Sequence, residues 1–359
     1  MSCRGPGVFS VFFGFVVLGA VDVTGIARNY VSAEFGLSDG ISSLIPAACF
    51  LWFLLLALPS GAAAGRFSRR TLCIAAMLLC AAALALPSIF PGSLAMTLLA
   101  FALLGVSRTP MFVAFNPLVR DAVGESRLSG ALLLGQGLKS ATAIAIPLLF
   151  ALIASSAAGW RGAMLCLAAV ALLGALLLAP AGIQEEPSAP VSLKSALALL
   201  REPRMLVFWL AAIVLVASDV SVMTRFPQIV QLRTGASLDG ATMLVTIYPI
   251  AKTLVAFAGA ALLLKVDEKT LFRIAAALAL LGLAGLLLLQ GKAPLVAALF
   301  VFGLGYSNLF SIIFSRALKA FPDRSDTVSA LMIMSLVGGA FCLPLPVIAV
   351  LWIPIVLLK

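Results

Sequence analysis

Five charged side chains stand well inside long apolar segments of this chain, away from the segment ends. They are two acids and three bases: Asp22, Asp219, Arg108, Lys139 and Lys252. An Asp at the centre of a membrane helix costs roughly 2.5 to 3.5 kcal/mol, so its default role is a proton, ion or substrate site facing the protein interior. Asp22 lies about 14 residues beyond the apolar start at Val8, or ~21 Å into a membrane roughly 30 Å thick. Because the sequence has no histidine, proton chemistry must use carboxylates.

Buried ions are tolerated when they are paired. The first pair that we expect is Asp22 with Lys139, which lie at similar depth by residue counting. A carboxylate that exchanges a lysine for a proton is a simple coupling device, because protonation breaks the pair and releases the helices; a permanent structural ion pair is the alternative. Lys252 is too deep to reach the membrane surface, so we expect an acidic partner such as Asp219, or a substrate contact. Asp219 could instead extend outward near Arg225.

Uncharged polar side chains in these segments are candidates for substrate contact. Gln136 and Lys139 are three residues apart and share a helix face. An amide beside an ammonium suits sugar hydroxyls, and an interhelical hydrogen bond by Gln136 is the alternative. Asn116 precedes a proline, where it could instead satisfy freed backbone groups. Asn308 is a further cavity candidate, and the Trp52 indole could stack on a sugar or pack against neighbouring groups.

Arginines mark two further places. Arg108 stands beside the helix-breaking Pro110, where it could bind an anionic substrate group, cap a gate or anchor the broken helix. A basic cluster between two apolar segments is interpreted as a set of topology anchors, with a gate contact as the alternative. The cluster comprises Arg66, Arg69 and Arg70.

The composition defines the elements that position these residues. Of the 359 residues, 63% are hydrophobic and 11% charged, and the mean hydropathy is +1.17, far above that of a soluble domain. The formal charge of +10 is spread between apolar segments, as membrane topology demands, so we expect the lipid bilayer and no nucleic acid as a partner. The six cysteines have no metal-ligand spacing, and no nucleophile motif has a base within reach. We therefore expect no enzyme, no metal site and no cofactor.

Charges delimit apolar segments that are long enough to cross a membrane. We place them at 8–31, 41–64, 71–90, 93–118, 128–158, 162–180, 205–226, 241–264, 271–290, 295–315 and 328–358. The fold class is all-α and polytopic, with about 11 to 12 transmembrane helices. The last segment contains Pro344 and Pro346, so it is either one kinked span or a span with a short apolar tail. A polar cytoplasmic linker at 183–204 separates an N-terminal six-helix half, 1–182, from a C-terminal half, 205–359.

The two halves repeat each other in sequence. Asp22-Val23 matches Asp219-Val220 at an offset of 197 residues, and Leu104-Gly105-Val106-Ser107 matches Leu304-Gly305-Tyr306-Ser307 at an offset of 200. Two parallel repeats joined by a central loop are the build of alternating-access transporters, with the site near the membrane midplane. Lys and Arg concentrate in alternate loops, which predicts a cytoplasmic N-terminus.

The stretch from Gly61 to Arg70 resembles the loop motif between helices 2 and 3 of the major facilitator superfamily. Gly65 stands in place of the motif's acid and Ser68 in place of its later glycine. Other motifs are similar to those of the bacterial fucose/galactose/glucose:proton symporter family. They are Phe35-Gly36-Leu37-Ser38, Asn116-Pro117-Leu118-Val119, Gln136 with Lys139, and Val337-Gly338-Gly339-Ala340.

This resemblance implies a fold of two parallel helical halves and a division of roles. In that family an Asp of helix 1 carries the proton, and a Gln and an Asn of helix 5 hold the sugar. Asp22 lies one turn from the first position, Gln136 matches the Gln, and Lys139 stands at the Asn. Phe112 stands where the family has a helix 4 glutamate.

The expected function is secondary active transport of a small polar solute, a monosaccharide or similar sugar, by proton-coupled alternating access. We expect a monomer in the inner membrane of a bacterial cell, with sugar and protons as small-molecule partners. Two alternatives stay open. A drug or metabolite exporter of the same superfamily would have a cavity dominated by aromatic and Met side chains, and a truncated membrane protein would transport nothing.

Overall fold

The computed structural model describes residues 5–153, 159–237, 241 and 243–340, with side chains placed at 7–38, 41, 51–153, 159–237, 241 and 243–337. Regular structure in these residues is helical throughout. Two compact units form. Unit 1 takes its described residues from Met1–Leu128, Ala141–Leu199 and Leu318–Met334, and unit 2 takes its own from Ser129–Ser140, Leu200–Ala317 and Ser335–Lys359.

Most helices follow the predicted apolar segments to within about five residues, but the segment predicted at 205–226 forms a helix that continues to Thr234. The helices up to residue 200 are α1 (Gly5–Ala20), α2 (Thr24–Phe35), α3 (Asp39–Phe67), α4 (Arg69–Ile89), α5 (Leu94–Val123), α6 (Leu128–Ile153), α7 (Gly159–Leu178) and α8 (Leu193–Leu200). The others are α9 (Pro203–Thr234), α10 (Ile247–Leu262), α11 (Glu268–Leu288), α12 (Lys292–Ala320) and α13 (Ser325–Met334). Nine helical segments in the described part of the chain are long and apolar enough to cross a membrane.

The chain after α13 continues as a 3-10 segment, Ser335–Ala340. Pro344, Pro346 and the apolar tail, on which the choice between 11 and 12 helices depends, lie outside the described residues. The predicted linker at 183–204 contains the short helix α8. The division of the chain into halves at this linker stays a prediction.

The first predicted span contains a 3-10 turn at Asp22. α1 ends at Ala20 and α2 begins at Thr24, and a 3-10 turn at Val21–Val23 joins them. Short 3-10 stretches within a helix tighten the backbone and often mark hinges. The carboxylate of Asp22 is therefore presented at a local irregularity of the span.

Ser68 makes the corner between α3 and α4. Its φ of 77° and ψ of 148° lie in a region that glycine adopts far more readily than other residues. The Ser68 hydroxyl accepts a hydrogen bond from the Thr71 N–H at 3.2 Å, which caps the start of α4. The backbone is thus strained at the position where the resembled motif has glycine, and the serine side chain caps α4 at the same position.

Unit 1 is built on α5. This helix packs against α3, α4, α1 and α13, and α4 also packs against α7. Pro117 inside α5 has no N–H, so the carbonyl of Val113, four residues earlier, loses its helical partner. The Ser329 hydroxyl on α13 donates to that carbonyl at 2.6 Å. A side chain far away in sequence therefore completes the backbone hydrogen bonding of α5.

Unit 2 contains a close contact between α11 and α12. A Cβ at Gly305 would lie 2.1 Å from the backbone N of Ala279, so only glycine allows the two helices to approach this closely. Arg233, at the end of α9, donates to the carbonyls of Leu287 at 2.9 Å and Leu289 at 2.7 Å. The guanidinium thus satisfies carbonyl groups that the end of α11 leaves free.

Candidate coupling and substrate sites

The carboxylate of Asp22 is paired with Arg108 in unit 1. The Arg108 Nη2 donates to Asp22 Oδ1, which connects the α1–α2 turn with the middle of α5. The Asp22 and Arg108 side chains are 25% and 16% exposed, so the pair is partly accessible although most neighbouring residues are buried. None of the sequence interpretations of Arg108 included this partner. The predicted pairing of Asp22 with Lys139, which lies in unit 2, stays a prediction.

Two phenylalanine rings hold the Arg108 guanidinium. Its Cζ lies 5.5 Å from the ring centroids of both Phe53 and Phe112, within the range of cation–π attraction. The two rings meet edge to face, 5.8 Å apart. The Arg108 Nε is buried and has no hydrogen-bond partner among the described residues. The guanidinium is therefore fixed in place while part of its donor capacity is unused.

Unit 2 contains a second acid–base pair. The Nζ of Lys252, on α10, lies 3.0 and 3.1 Å from the two carboxylate oxygens of Asp219, on α9. The Tyr248 hydroxyl donates to Asp219 Oδ1 at 2.5 Å. Asp219 is the acidic partner that the sequence suggested for Lys252. The Asp219 carboxylate therefore accepts three hydrogen bonds, two of them from the Lys252 ammonium.

The Lys252 ammonium also lies between two aromatic rings. It is 5.0 Å from the ring centroid of Tyr248 and 4.9 Å from that of Tyr306. Tyr248 and Tyr306 are both buried and both pack against Phe302. Two of the three tyrosines in the chain therefore surround one lysine.

The two pairs share one arrangement. Each unit has an acid, at positions that match at an offset of 197 residues, and a base that lies near two aromatic rings. The sequence indicated the acids and the bases but not the rings. Tyrosine is rare in this chain, and Tyr248 lies one helical turn before Lys252. This pattern was a signal that could have identified the two tyrosine rings beside Lys252.

Arg69 is the centre of a buried charge cluster in unit 1. Its Nη1 donates to Asp121 at 2.5 Å, its Nε to Asp326 at 2.7 Å and its Nη2 to Ser325 at 2.9 Å. The side chain of Arg69 is only 2% exposed, and those of Asp121 and Asp326 are 0% and 2% exposed. Arg69 therefore joins the start of α4 to the end of α5 and the start of α13.

A segment of the predicted linker covers this cluster. The Glu185 carboxylate accepts from the backbone N–H of Arg69 at 2.6 Å and of Arg70 at 2.9 Å, so it caps the N-terminus of α4. Glu186 forms an ion pair with Arg120 at 2.5 Å. The Ser188 hydroxyl accepts from the Asp326 N–H at 3.3 Å. The linker thus contributes acids to a basic end of unit 1.

Unit 2 has a related polar cluster with the charges reversed. Glu268 stands at the repeat position of Arg69, at an offset of 199 residues. Its carboxylate lies 3.1 Å from the Arg316 Nε and accepts from the Ser129 hydroxyl at 2.5 Å. Ser129 and Ser315 are 2.7 Å apart. An acid at the start of α11 is therefore the centre of the polar cluster in unit 2, as a base at the start of α4 is the centre of the cluster in unit 1.

The remaining predicted residues have varied surroundings. The Asn116 amide donates to the Phe112 carbonyl of its own helix at 2.8 Å. The Trp52 indole lies against Gly105, where a Cβ would come within 2.3 Å of the ring. Asn308 is buried against Gly259, and its Oδ1 has no partner among the described residues.

The last four predicted residues belong to α3, α4 and α6. Gln136 and Lys139 are both half-buried. Arg66 is exposed and lies over the ring of Phe67 at 5.3 Å. The Arg70 Nη1 donates to the Ala181 carbonyl at 2.5 Å. The substrate, coupling and gate roles of all these residues stay predictions.

The sequence profile of the Major Facilitator Superfamily matches residues 8–344. The chain therefore belongs to this superfamily of membrane transporters, which confirms the family indicated by the stretch from Gly61 to Arg70. No protein of curated function matches the chain in sequence.

Several solved transporter structures are similar to this chain. A structure of FucP in the outward conformation has a TM-score of 0.84 at 17% identity, covering 98% of this chain and 96% of its own. FucP is described as the E. coli fucose:proton symporter. The proton:xylose symporter XylE has a TM-score of 0.68 at 14% identity, with coverage of 95% and 88%. The human organic anion transporter MFSD10 has a TM-score of 0.72 at 17% identity, with coverage of 97% and 93%. At these identities the similarity concerns the fold.

Proposed function

We propose that this chain is a secondary active transporter that moves a small polar solute, with sugar-like hydroxyl groups, by proton-coupled alternating access. Asp22 is the proton carrier of this proposal. The observation that supports it is the Asp22–Arg108 pair, which is partly accessible and lies at a 3-10 turn within a membrane-spanning helix. The fold shared with two sugar:proton symporters gives further support.

The coupling step follows from the pair. When Asp22 is ionised, its charge is compensated by Arg108. When Asp22 takes up a proton, the ion pair is lost, and one link between the α1–α2 turn and α5 is weakened. Because an unpaired charge in a low-dielectric interior costs several kcal/mol, the two protonation states favour different positions of these helices.

Asp219 has a different role in this proposal. Its carboxylate accepts hydrogen bonds from both Lys252 and Tyr248, so we assign the Asp219–Lys252 pair to the structure of unit 2 and to solute contact. We assign the buried Arg69 cluster to a gate, since it joins helices from distant parts of the chain and the linker covers it. Alternating access would require the contacts of Arg69 with Asp326 to open.

The test is transport by the purified protein in proteoliposomes. Asp22→Asn removes the titrating group and keeps its size, so we expect it to abolish accumulation driven by a pH gradient while counterflow exchange continues. The matched control is Glu34→Gln, because Glu34 is bound to Trp160 and Arg161 at the end of α2, away from the pair. Full accumulation by Asp22→Asn would refute the assignment.

The two alternatives are distinguished by the same preparation. An exporter would move hydrophobic cations and leave polar solutes, including sugars and sugar acids, unmoved. A non-transporting protein would move neither class, although it binds detergent and lipid normally. Transport of a polar solute that depends on the pH gradient excludes both.

A further inference from the structure

The Asp219–Lys252 pair lies where a solute can reach it. Asp219 stands near the middle of the 32-residue helix α9. The side chains of Asp219 and Lys252 are 21% and 23% exposed, although the rings packed beside them, those of Tyr248, Tyr306 and Phe302, are buried. Charged groups at this depth of a membrane helix face the protein interior or a water-filled cavity rather than lipid. The accessible part of this cluster is therefore the ion pair itself.

The pair keeps one acceptor and one donor for a further partner. Asp219 Oδ1 accepts from both Tyr248 and Lys252, whereas Oδ2 accepts from Lys252 alone. Because each carboxylate oxygen has about two lone-pair sites, Oδ2 can accept one more hydrogen bond. The Lys252 ammonium has three N–H groups, and at most two of them are used on Asp219. A donor and an acceptor therefore stand side by side, with Nζ and Oδ2 3.1 Å apart.

Two neighbouring hydroxyl groups of a sugar ring match this arrangement. Their oxygens lie roughly 3 Å apart, one hydrogen-bond length, which is the spacing of Nζ and Oδ2. One hydroxyl can donate to Asp219 while the next accepts from Lys252, and both bonds are charge-assisted. A charged solute would have to break the existing pair and leave one of its two ions without a partner, which is costly in a low-dielectric interior. The pair therefore favours an uncharged solute with vicinal hydroxyl groups.

The aromatic rings fix both charged groups in position. The Tyr248 hydroxyl donates to Oδ1 at 2.5 Å, and the Lys252 ammonium lies 5.0 Å from the ring centroid of Tyr248 and 4.9 Å from that of Tyr306. Gly303 on α12 allows the ring of Tyr248 to lie this close, because a Cβ there would come within 3.0 Å of it. Little side-chain ordering is then needed on binding. Tyr248 and Tyr306 are accordingly positioning residues.

We infer that the solute is an uncharged polyol and that Asp219 and Lys252 together bind two of its hydroxyl groups on neighbouring carbon atoms. The inference rests on the proposed function and specifies what the solute must carry. One hydroxyl donates to Asp219 Oδ2, and its neighbour accepts from Lys252 Nζ. Loss of either hydroxyl leaves one group of the ion pair without its solute contact, so unit 2 selects for the pair of hydroxyls.

Deoxy analogues test the inference on the unchanged protein. In proteoliposomes with a pH gradient, uptake of glucose and of galactose is compared with uptake of analogues that lack one hydroxyl, at each carbon atom in turn. We expect uptake to fall about tenfold or more for the analogues at two neighbouring ring carbons. The analogue without the exocyclic hydroxyl is the matched control and should be taken up like the parent sugar, because that hydroxyl has no hydroxyl on the adjacent carbon.

The results separate the inference from the proposed function. A loss confined to one carbon atom, or no loss at all, overturns the inference and leaves the proposed function standing. Uptake of gluconate or galacturonate above that of the parent sugar also overturns it. If no solute of the panel accumulates, both fail.

The variant Asp219→Asn tests whether unit 2 makes the selection. It keeps the size of the side chain but replaces one acceptor oxygen by a donor. For one of the two neighbouring hydroxyls, the loss of uptake on its removal should shrink from about tenfold to less than about threefold, because its partner is already gone. Glu202→Gln is the matched control and should keep the full loss, since Glu202 is exposed at the start of the same helix and its side chain makes no capping hydrogen bond.

Binding without transport gives a second readout. The parent sugar should raise the melting temperature of the wild type and of Glu202→Gln, and should raise that of Asp219→Asn much less. An unchanged preference for the parent sugar in Asp219→Asn, or the same rise in melting temperature, would overturn the inference.

Discussion

Replacement of Arg69 by methionine removes the centre of the buried cluster in unit 1. The substitution keeps the apolar stem but leaves Asp121 and Asp326 buried with no cation between them. Their side chains are 0% and 2% exposed, so water cannot take over the role of the guanidinium. Removal of one partner from a buried ion pair typically costs about 3 to 5 kcal/mol, and Arg69→Met should reach this range.

The loop that contains Arg69 also contains its control. Arg66 is exposed, with only the Phe67 ring beside it, so Arg66→Met should change the free energy of unfolding by less than about 0.5 kcal/mol. The measurement is equilibrium unfolding in mixed detergent micelles, followed by tryptophan fluorescence. The two substitutions remove the same charge and the same number of atoms.

A double-mutant cycle tests the cause. Asp326→Asn in the Arg69→Met background removes one of the two unpaired carboxylates and should recover about 1 to 3 kcal/mol, although it destabilises the wild type. The reasoning is refuted if Arg69→Met destabilises no more than Arg66→Met. It is also refuted if the effects of Arg69→Met and Asp326→Asn simply add.

Three further predictions concern single hydrogen bonds and one strained residue. Tyr248→Phe removes the hydroxyl that donates to Asp219 at 2.5 Å and should destabilise unit 2 by about 1.5 to 3 kcal/mol. The control Tyr306→Phe removes no hydrogen bond within the described residues and should cost less than about 0.5 kcal/mol. Equal effects of the two substitutions would argue against the Tyr248–Asp219 hydrogen bond. Ser329→Ala leaves the Val113 carbonyl without a donor and should cost about 1 to 3 kcal/mol of unfolding free energy. In a Pro117→Ala background, which restores a backbone N–H, this loss should be smaller. An unchanged loss would contradict the proposed hydrogen bonding of α5. Ser68→Gly relieves the strain of a φ of 77°. It also loses the helix cap, but a serine cap is better than glycine by only a few tenths of a kcal/mol, so the substitution should stabilise the protein by about 1 kcal/mol in the same unfolding assay. Destabilisation would show that the cap is the larger effect.

The apolar segments predicted the helices well because membrane-spanning segments need about 20 apolar residues and obey this rule locally. The 3-10 turn at Asp22 was not predicted. A 3-10 turn depends on the hydrogen bonding of a few residues, and Val21–Val23 contains no proline or glycine from which the turn could be predicted. Likewise, the short helix α8 lies in a stretch that composition marked only as polar.

The sequence by itself determined that five charged residues stand in membrane segments and that Asp22 and Asp219 are repeat mates. It also determined the superfamily, through the stretch from Gly61 to Arg70. These features are properties of residue type and spacing along the chain, which hydropathy and repetition report directly.

The sequence suggested the Asp219–Lys252 pair, but only the tertiary structure decided the other contacts of the charged groups. Arg108 pairs with Asp22 across 86 residues of sequence, and Arg69 with Asp326 across 257. Such contacts depend on the rotation and packing of helices that are far apart in the chain, which no local pattern encodes. The aromatic rings beside Arg108 and Lys252 were hidden for the same reason, because an aromatic residue in a membrane helix has many apolar neighbours available, and only the fold selects a cation as one of them.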